Sequence, residues 1–187
     1  MKTLCALVIG HKKLSPGAVN SKFEISEFAF NEDLSLRIEK LVRTADIQRI
    51  YRRTYRELPD DINNLNPDFI LSLHCNAFNG QVSGTEILYH HKSQQGRKFA
   101  EIAQKHLLNC LGLKDRGLIP RDAEDRGGFL LRYTKAPCII AEPFFIDNDD
   151  DLALALDKIE ELAGAYAAAI EEIASHFDIE IRLKESI

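Results

Sequence analysis

Three apolar runs in this 187-residue chain each end on a side chain capable of metal or proton chemistry: Ile9-Gly10-His11, Leu71-Ser72-Leu73-His74 and Ile139-Ile140-Ala141-Glu142. Short apolar runs of this kind read as buried strands. In open α/β sheets ligands gather outside the carboxyl ends of strands, so residues at three such ends converge on one crevice. Taken singly, each residue has an ordinary explanation: His11 as a loop histidine, His74 as a hydrogen-bonded strand end, Glu142 as a surface acid. Together they argue for a site, because a carboxylate that follows the apolar 137–141 run is partly desolvated and costs stability without a partner or a use. Two histidines and a carboxylate with an open position form a catalytic zinc set. The remaining ligand is sought among the nearby acids, where Glu24 and Glu27 both stand ahead of a helical segment. Spacing leaves that choice even, since an acid at a helix entry also interacts favourably with the helix dipole.

The elements that must position these residues are legible as alternating periods. Strands are expected over 4–9, 69–73 and 138–141, with weaker candidates over 47–51 and 86–89. Between them, the spacing predicts a helix over about 31–44 that buries Leu34, Ile38, Leu41 and Val42. A second is expected over 94–111, burying Phe99, Ile102, Ala103 and Leu107, with Gly112 placed to end it. Strand and helix in alternation imply an α/β domain whose mostly parallel or mixed central sheet is covered by helices on both faces. A last helix over 150–177 carries Leu152, Leu156, Ile159, Ala163, Tyr166, Ile170, Ile173 and Phe177 as one stripe. The stripe favours packing on the sheet, with pairing between subunits of a homodimer as the alternative. Residues 178–187 read as a short charged tail.

Composition bounds the remaining possibilities. The length suits one domain with a core at about 4–177, and 45% hydrophobic with 28% charged residues is the balance of an ordinary globular chain. A net charge of −5 offers no attraction to a phosphate backbone, so a nucleic-acid partner is not expected. Cys5, Cys75, Cys110 and Cys138 lie too far apart for a CxxC metal or redox motif and read as reduced thiols. No apolar run approaches the roughly 20 residues of a membrane-spanning helix. The apolar start gives way to His11-Lys12-Lys13 rather than a small-residue cleavage site, so it reads as a first strand and not a signal peptide, implying synthesis in the cytoplasm.

With these residues in view, the chain resembles the zinc-dependent N-acetylmuramoyl-L-alanine amidases. The segments that carry the likeness are Gly10-His11, Ser26-Glu27 followed by Asn31, Ser72-Leu73-His74-Cys75-Asn76-Ala77, and Leu131-Arg132-Tyr133-Thr134-Lys135-Ala136-Pro137 leading to Glu142. The resemblance implies one zinc ion held by His11, Glu27 and His74, with Glu142 as the catalytic acid-base residue. It also selects Glu27 over Glu24, because the family's ligand stands four residues before an asparagine. The implied reaction is hydrolysis of the amide between N-acetylmuramic acid and L-alanine, with peptidoglycan as substrate, the cell wall as place of action and a phage or prophage lysin as the biological setting.

This chain departs from the family pattern in two places. Lys12 and Lys13 stand where glycines are usual, and Glu142-Pro143-Phe144-Phe145 replaces the usual E-x-G-F. These changes fall on the rim rather than on the metal set and bear on substrate shape. Arg116-Gly117 also resembles a family segment, but a structural arginine explains it equally well, and it is left out of the catalytic set. The alternatives to amidase action are another zinc amidohydrolase or peptidase using the same residues, or a non-catalytic glycan-binding relative.

Overall fold

The computed structural model describes residues 2–185, with the side chains of the last helix described as far as Phe177. Five of its strands coincide with the apolar runs: β1 (Thr3–Ile9), then after a short β2 (Val19–Asn20) and β3 (Ile25–Ser26) come β4 (Ala45–Tyr51), β5 (Phe69–Leu73), β6 (Thr85–His90) and, after β7 (Asp115–Arg121), β8 (Cys138–Glu142). The helices are α1 (Glu27–Leu41), α2 (Leu58–Asn63), α3 (Gln94–Leu111), α4 (Gly128–Tyr133), α5 (Asp149–Asp157) and α6 (Ile159–Glu185). Six strands form one mixed sheet in the order β4-β1-β5-β8-β6-β7, and β2 pairs with β3 in a separate ribbon. β4, β1, β5 and β8 are mutually parallel, β8 meets β6 antiparallel, and β6 meets β7 parallel.

Alternation along each strand divides the interior in two, as the period of two requires. Cys5, Leu7, Phe69, Leu71, Ile139 and Ala141 face a core filled by α1, α3 and α6, whereas Ala6, Val8, Ile70, Cys138 and Ile140 face a smaller one closed by α2 and α4. Helices therefore lie on both faces, in line with the expected α/β architecture.

Several expected boundaries are corrected. α1 begins at Glu27 rather than near Asn31, because the Ser26 hydroxyl caps it by accepting from the Ala29 N–H at 3.2 Å; it ends at Leu41. Glu27 thus opens the helix instead of preceding it. α3 and its left-handed cap at Gly112 fall where the spacing put them. The expected helix over 150–177 is two helices broken at Lys158, whose ammonium donates to the Cys110 carbonyl at 2.9 Å. Neither glycine nor proline marks this break, and the apolar stripe runs across it undisturbed, which is why periodicity missed it. The stripe itself is consumed inside the chain, with Leu152, Ala163, Tyr166, Ile170 and Ile173 buried and Phe177 stacked on Phe69 at 6.0 Å. The stripe thus packs inside the chain at these positions, with Leu156 and Ile159 only partly buried. The supposed tail continues as helix to Glu185, and residues 186–187 lie outside the described residues. β2, β3, β7, α2 and α4 were not foreseen; the strands among them are very short or, in β7, carry Arg116, Gly117 and Pro120 in place of an apolar run.

Candidate metal centre and active site

Backbone hydrogen bonds bring the three strand ends together. The Gly10 N–H donates to the Leu73 carbonyl at 2.9 Å, and the His74 N–H donates to the Ala141 carbonyl at 3.0 Å, so His11, His74 and Glu142 emerge side by side. α1 is clamped above them, its Glu27 and Phe28 N–H groups donating to the carbonyls of Ala18 and Pro16 at 2.8 and 2.9 Å. Glu24, the other candidate acid, sits exposed in the β2–β3 turn at φ 55°, away from this group.

Glu27 is 1% exposed and lies between the two imidazoles. Its Oε2 is 3.0 Å from His11 Nε2 and its Oε1 2.8 Å from His74 Nδ1, while the Cys75 N–H donates to Oε1 at 3.0 Å. One ligand atom from each of the three residues falls within 4.8 Å of the others. Burial works to raise the Glu27 carboxyl, but the hydrogen bonds and charges of His11 and His74 outweigh it and hold the group well below the usual carboxylate range. Asn31, one helical turn along, is buried with its side chain against Cys75 Sγ at 3.8 Å, which accounts for the Glu-to-Asn spacing.

The donor set is the kind that holds zinc, two imidazole nitrogens and a carboxylate oxygen. Space around it is kept by glycine. A Cβ on Gly17, whose φ is +81°, would stand 2.5 Å from Glu27 Oε2 and 2.7 Å from His11 Cδ2; one on Gly10 would stand 2.8 Å from the His74 ring. His11 itself has φ 66°, a backbone strain of roughly 1–3 kcal/mol of the kind that clusters at functional sites. The residues present therefore fit a metal ion.

Glu142 is not part of that group. It ends β8, is 4% exposed, and lines with His11 and His74 a cavity of about 450 Å³. Burial pushes its carboxyl up; His74 and Arg126 oppose the shift, and Glu86 and Glu27 add to it. Glu86 is its direct partner across the β6–β8 ladder. That second buried acid is paired with Arg116, whose Nε donates to it at 2.7 Å, and accepts a further hydrogen bond from the Asn76 amide at 2.8 Å. Arg116 is thus a structural arginine.

An N-acetylmuramoyl-L-alanine amidase family model matches residues 5–172. The chain belongs to the N-acetylmuramoyl-L-alanine amidase family. Among curated relatives it is 33% identical over 92 residues to an uncharacterized cell wall amidase of Bacillus anthracis, a match covering 45% of this chain and 16% of that protein. It is 25% identical over 151 residues to the N-acetylmuramoyl-L-alanine amidase LytC of Bacillus subtilis, covering 76% of this chain and 29% of that one. The matches thus span only 16% and 29% of the length of these two curated relatives. The fold is shared with Cwp6 from Clostridium difficile, with a TM-score of 0.82 at 23% identity over 92% of this chain and 29% of that one.

Within this amidase domain the structure adds residues that the motifs did not single out. Arg52, beside His11, and Tyr55, both after β4, line the cavity together with Arg126 from the loop before α4 and Phe129 in α4. Asn76 was inside a quoted motif but without a role. Arg52 and Arg126 carry no sequence signal, because each stands in a charged stretch of unremarkable composition.

Proposed function

We propose that the protein is a zinc-dependent hydrolase that cleaves the amide bond between N-acetylmuramic acid and L-alanine in peptidoglycan, acting on the cell wall. The observation that carries this reading is the division of labour between two buried carboxylates: Glu27 is bracketed by His11 and His74, and Glu142 stands apart from them on the same cavity. Family membership supports it. His11, Glu27 and His74 would hold the ion. An ion held by these residues would supply Lewis acidity towards the scissile carbonyl and a bound water.

Glu142 does the proton work. Its carboxylate accepts a proton from the attacking water and returns it to the nitrogen of the departing L-alanine, so that water adds across the amide and the C–N bond breaks. Burial, which lifts its affinity for a proton, suits a group that must take one up and give it away. Val8, Leu88, Leu130 and Ile140 give the cavity beside Glu142 an apolar lining, consistent with the raised proton affinity of its carboxyl.

Digestion of purified peptidoglycan tests this, scoring new L-alanine amino groups against new reducing sugar ends. Amino groups without reducing ends, abolished by a chelator and restored by zinc, are expected. Cleavage insensitive to chelator, or reducing ends alone, overturns the reading.

A further inference from the structure

The cavity is lined by two arginines, Arg52 and Arg126, to which the proposed chemistry gives no role. Arg52 is half-buried, with Nη2 3.4 Å from His11 Nδ1 and its guanidinium 5.7 Å from the Tyr55 ring centre. Among the described residues no carboxylate pairs with it, whereas Arg37, Arg49 and Arg53 each hold one. Arg126 reaches the same cavity from the loop before α4, its Nη2 4.0 Å from Glu142 Oε1. Of the two acids on that loop that border the cavity, Asp125 is engaged with the Asp122 N–H at 2.7 Å and Glu124 is exposed to solvent. The wall beside Arg52 is aromatic: Tyr55, against its guanidinium, meets Phe129 at 5.6 Å.

A guanidinium partly removed from water, unpaired and backed by aromatic rings, is suited to a planar anion that it can grip with two parallel N–H groups. On the substrate of the proposed reaction, the sugar side offers hydroxyl and acetamido groups only, because the lactyl carboxyl is spent in the scissile amide. The nearest anion lies on the peptide side, where the second residue of the stem is an acidic residue linked through its side-chain carboxyl and leaves its α-carboxylate free. Two residues span at most about 7 Å, within reach across a cavity of about 450 Å³. We infer that Arg52, supported by Arg126, is a carboxylate subsite that binds the free α-carboxylate of the second stem-peptide residue. The assignment rests on the amidase reading and deepens it: the enzyme distinguishes stems with an α-carboxylate from stems in which that group is an amide.

The test uses two muramyl tripeptides that differ only in an α-carboxylate or an α-carboxamide at the second residue. The zinc-loaded protein is expected to prefer the carboxylate by about tenfold or more in kcat/KM, mainly through KM, the size expected of one charge-assisted contact. Arg52→Gln moves the ratio of the two substrates towards one, and Arg52→Lys recovers part of it. Calorimetric binding of both compounds to zinc-loaded Glu142→Gln protein reads the same preference without turnover. Equal handling of the two compounds by the unmodified protein overturns the subsite, as does a preference that survives Arg52→Gln combined with Arg126→Gln. Failure to cleave whole peptidoglycan overturns the amidase reading instead, and with it the stem-peptide assignment.

Discussion

On one face of the sheet α1, α3 and the long α6 bury Leu34, Phe99, Tyr166 and Ile170 almost completely; on the other, α2 and α4, of six residues each, cover Val8, Ile70 and Ile140 and leave a cavity open towards the strand ends. The thick face holds Glu27, since α1 is anchored in its core by Leu34 and Ile38. The thin face supplies concavity, because short helices cannot close over the edge of a twisted sheet. Rigidity and access are thereby assigned to opposite sides of the same strands, and the histidines and Glu142 stand on the line between them.

That contrast can be broken most severely at Glu142. Glu142→Gln is expected to lower kcat by about 10²–10⁴-fold, the usual contribution of a general acid-base group, while zinc content measured by atomic absorption stays unchanged. The same variant sharpens the electrostatic side in chelator-treated protein. Burial raises the carboxyl in the folded state, so folding favours its protonated form, and that relative stability is lost as pH rises from the ordinary carboxylate range through the raised value. Glu142→Gln should therefore melt at a higher temperature than the parent near neutral pH, with the gain vanishing in acid. A gain that persists below the ordinary carboxylate range would contradict the assignment of burial as the cause.

Next in size is the difference between the faces themselves. Phe99→Ala, in the thick core, should cost about 3–5 kcal/mol in urea unfolding and leave KM of the folded enzyme alone. Phe129→Ala, on the cavity wall, should cost far less stability and raise KM. Similar effects at the two positions would erase the distinction. Gly17→Ala is smaller but more local: the added methyl group meets Glu27 and His11 in a left-handed turn, so a stability loss of about 1–2 kcal/mol with weakened zinc affinity is expected in a metal-competition titration. Ser26→Ala should give the smallest change, about 1 kcal/mol from the lost helix cap, readable by thermal melting and with zinc still bound.

The five apolar strands and α3 were visible because a strand's period of two and a helix's period near 3.6 are local properties of the chain. Where local signal was weak or misleading, the reading slipped: β7 is interrupted by Gly117 and Pro120, Lys158 breaks a stripe that looks continuous, and α1 starts at a cap rather than at its first regular apolar spacing. His11, His74 and Glu142 were found because each follows an apolar run, so type and position coincided. Arg52 and Arg126 had no such context and were invisible among other surface charges.

Residue order alone was enough for the α/β alternation, for the polar residues at three strand ends, and for a family resemblance that named Glu27. It took the folded chain to turn Glu24 out to solvent and set Glu27 between two imidazoles. It also took the fold to reverse β6 against β8 so that Glu86 needs Arg116, and to bring Arg52 into the cavity beside His11 without a carboxylate partner among the described residues. Periodicity and motif spacing act over a few residues of chain. Which distant loops meet, and which charges find partners there, depends on packing across the whole sheet.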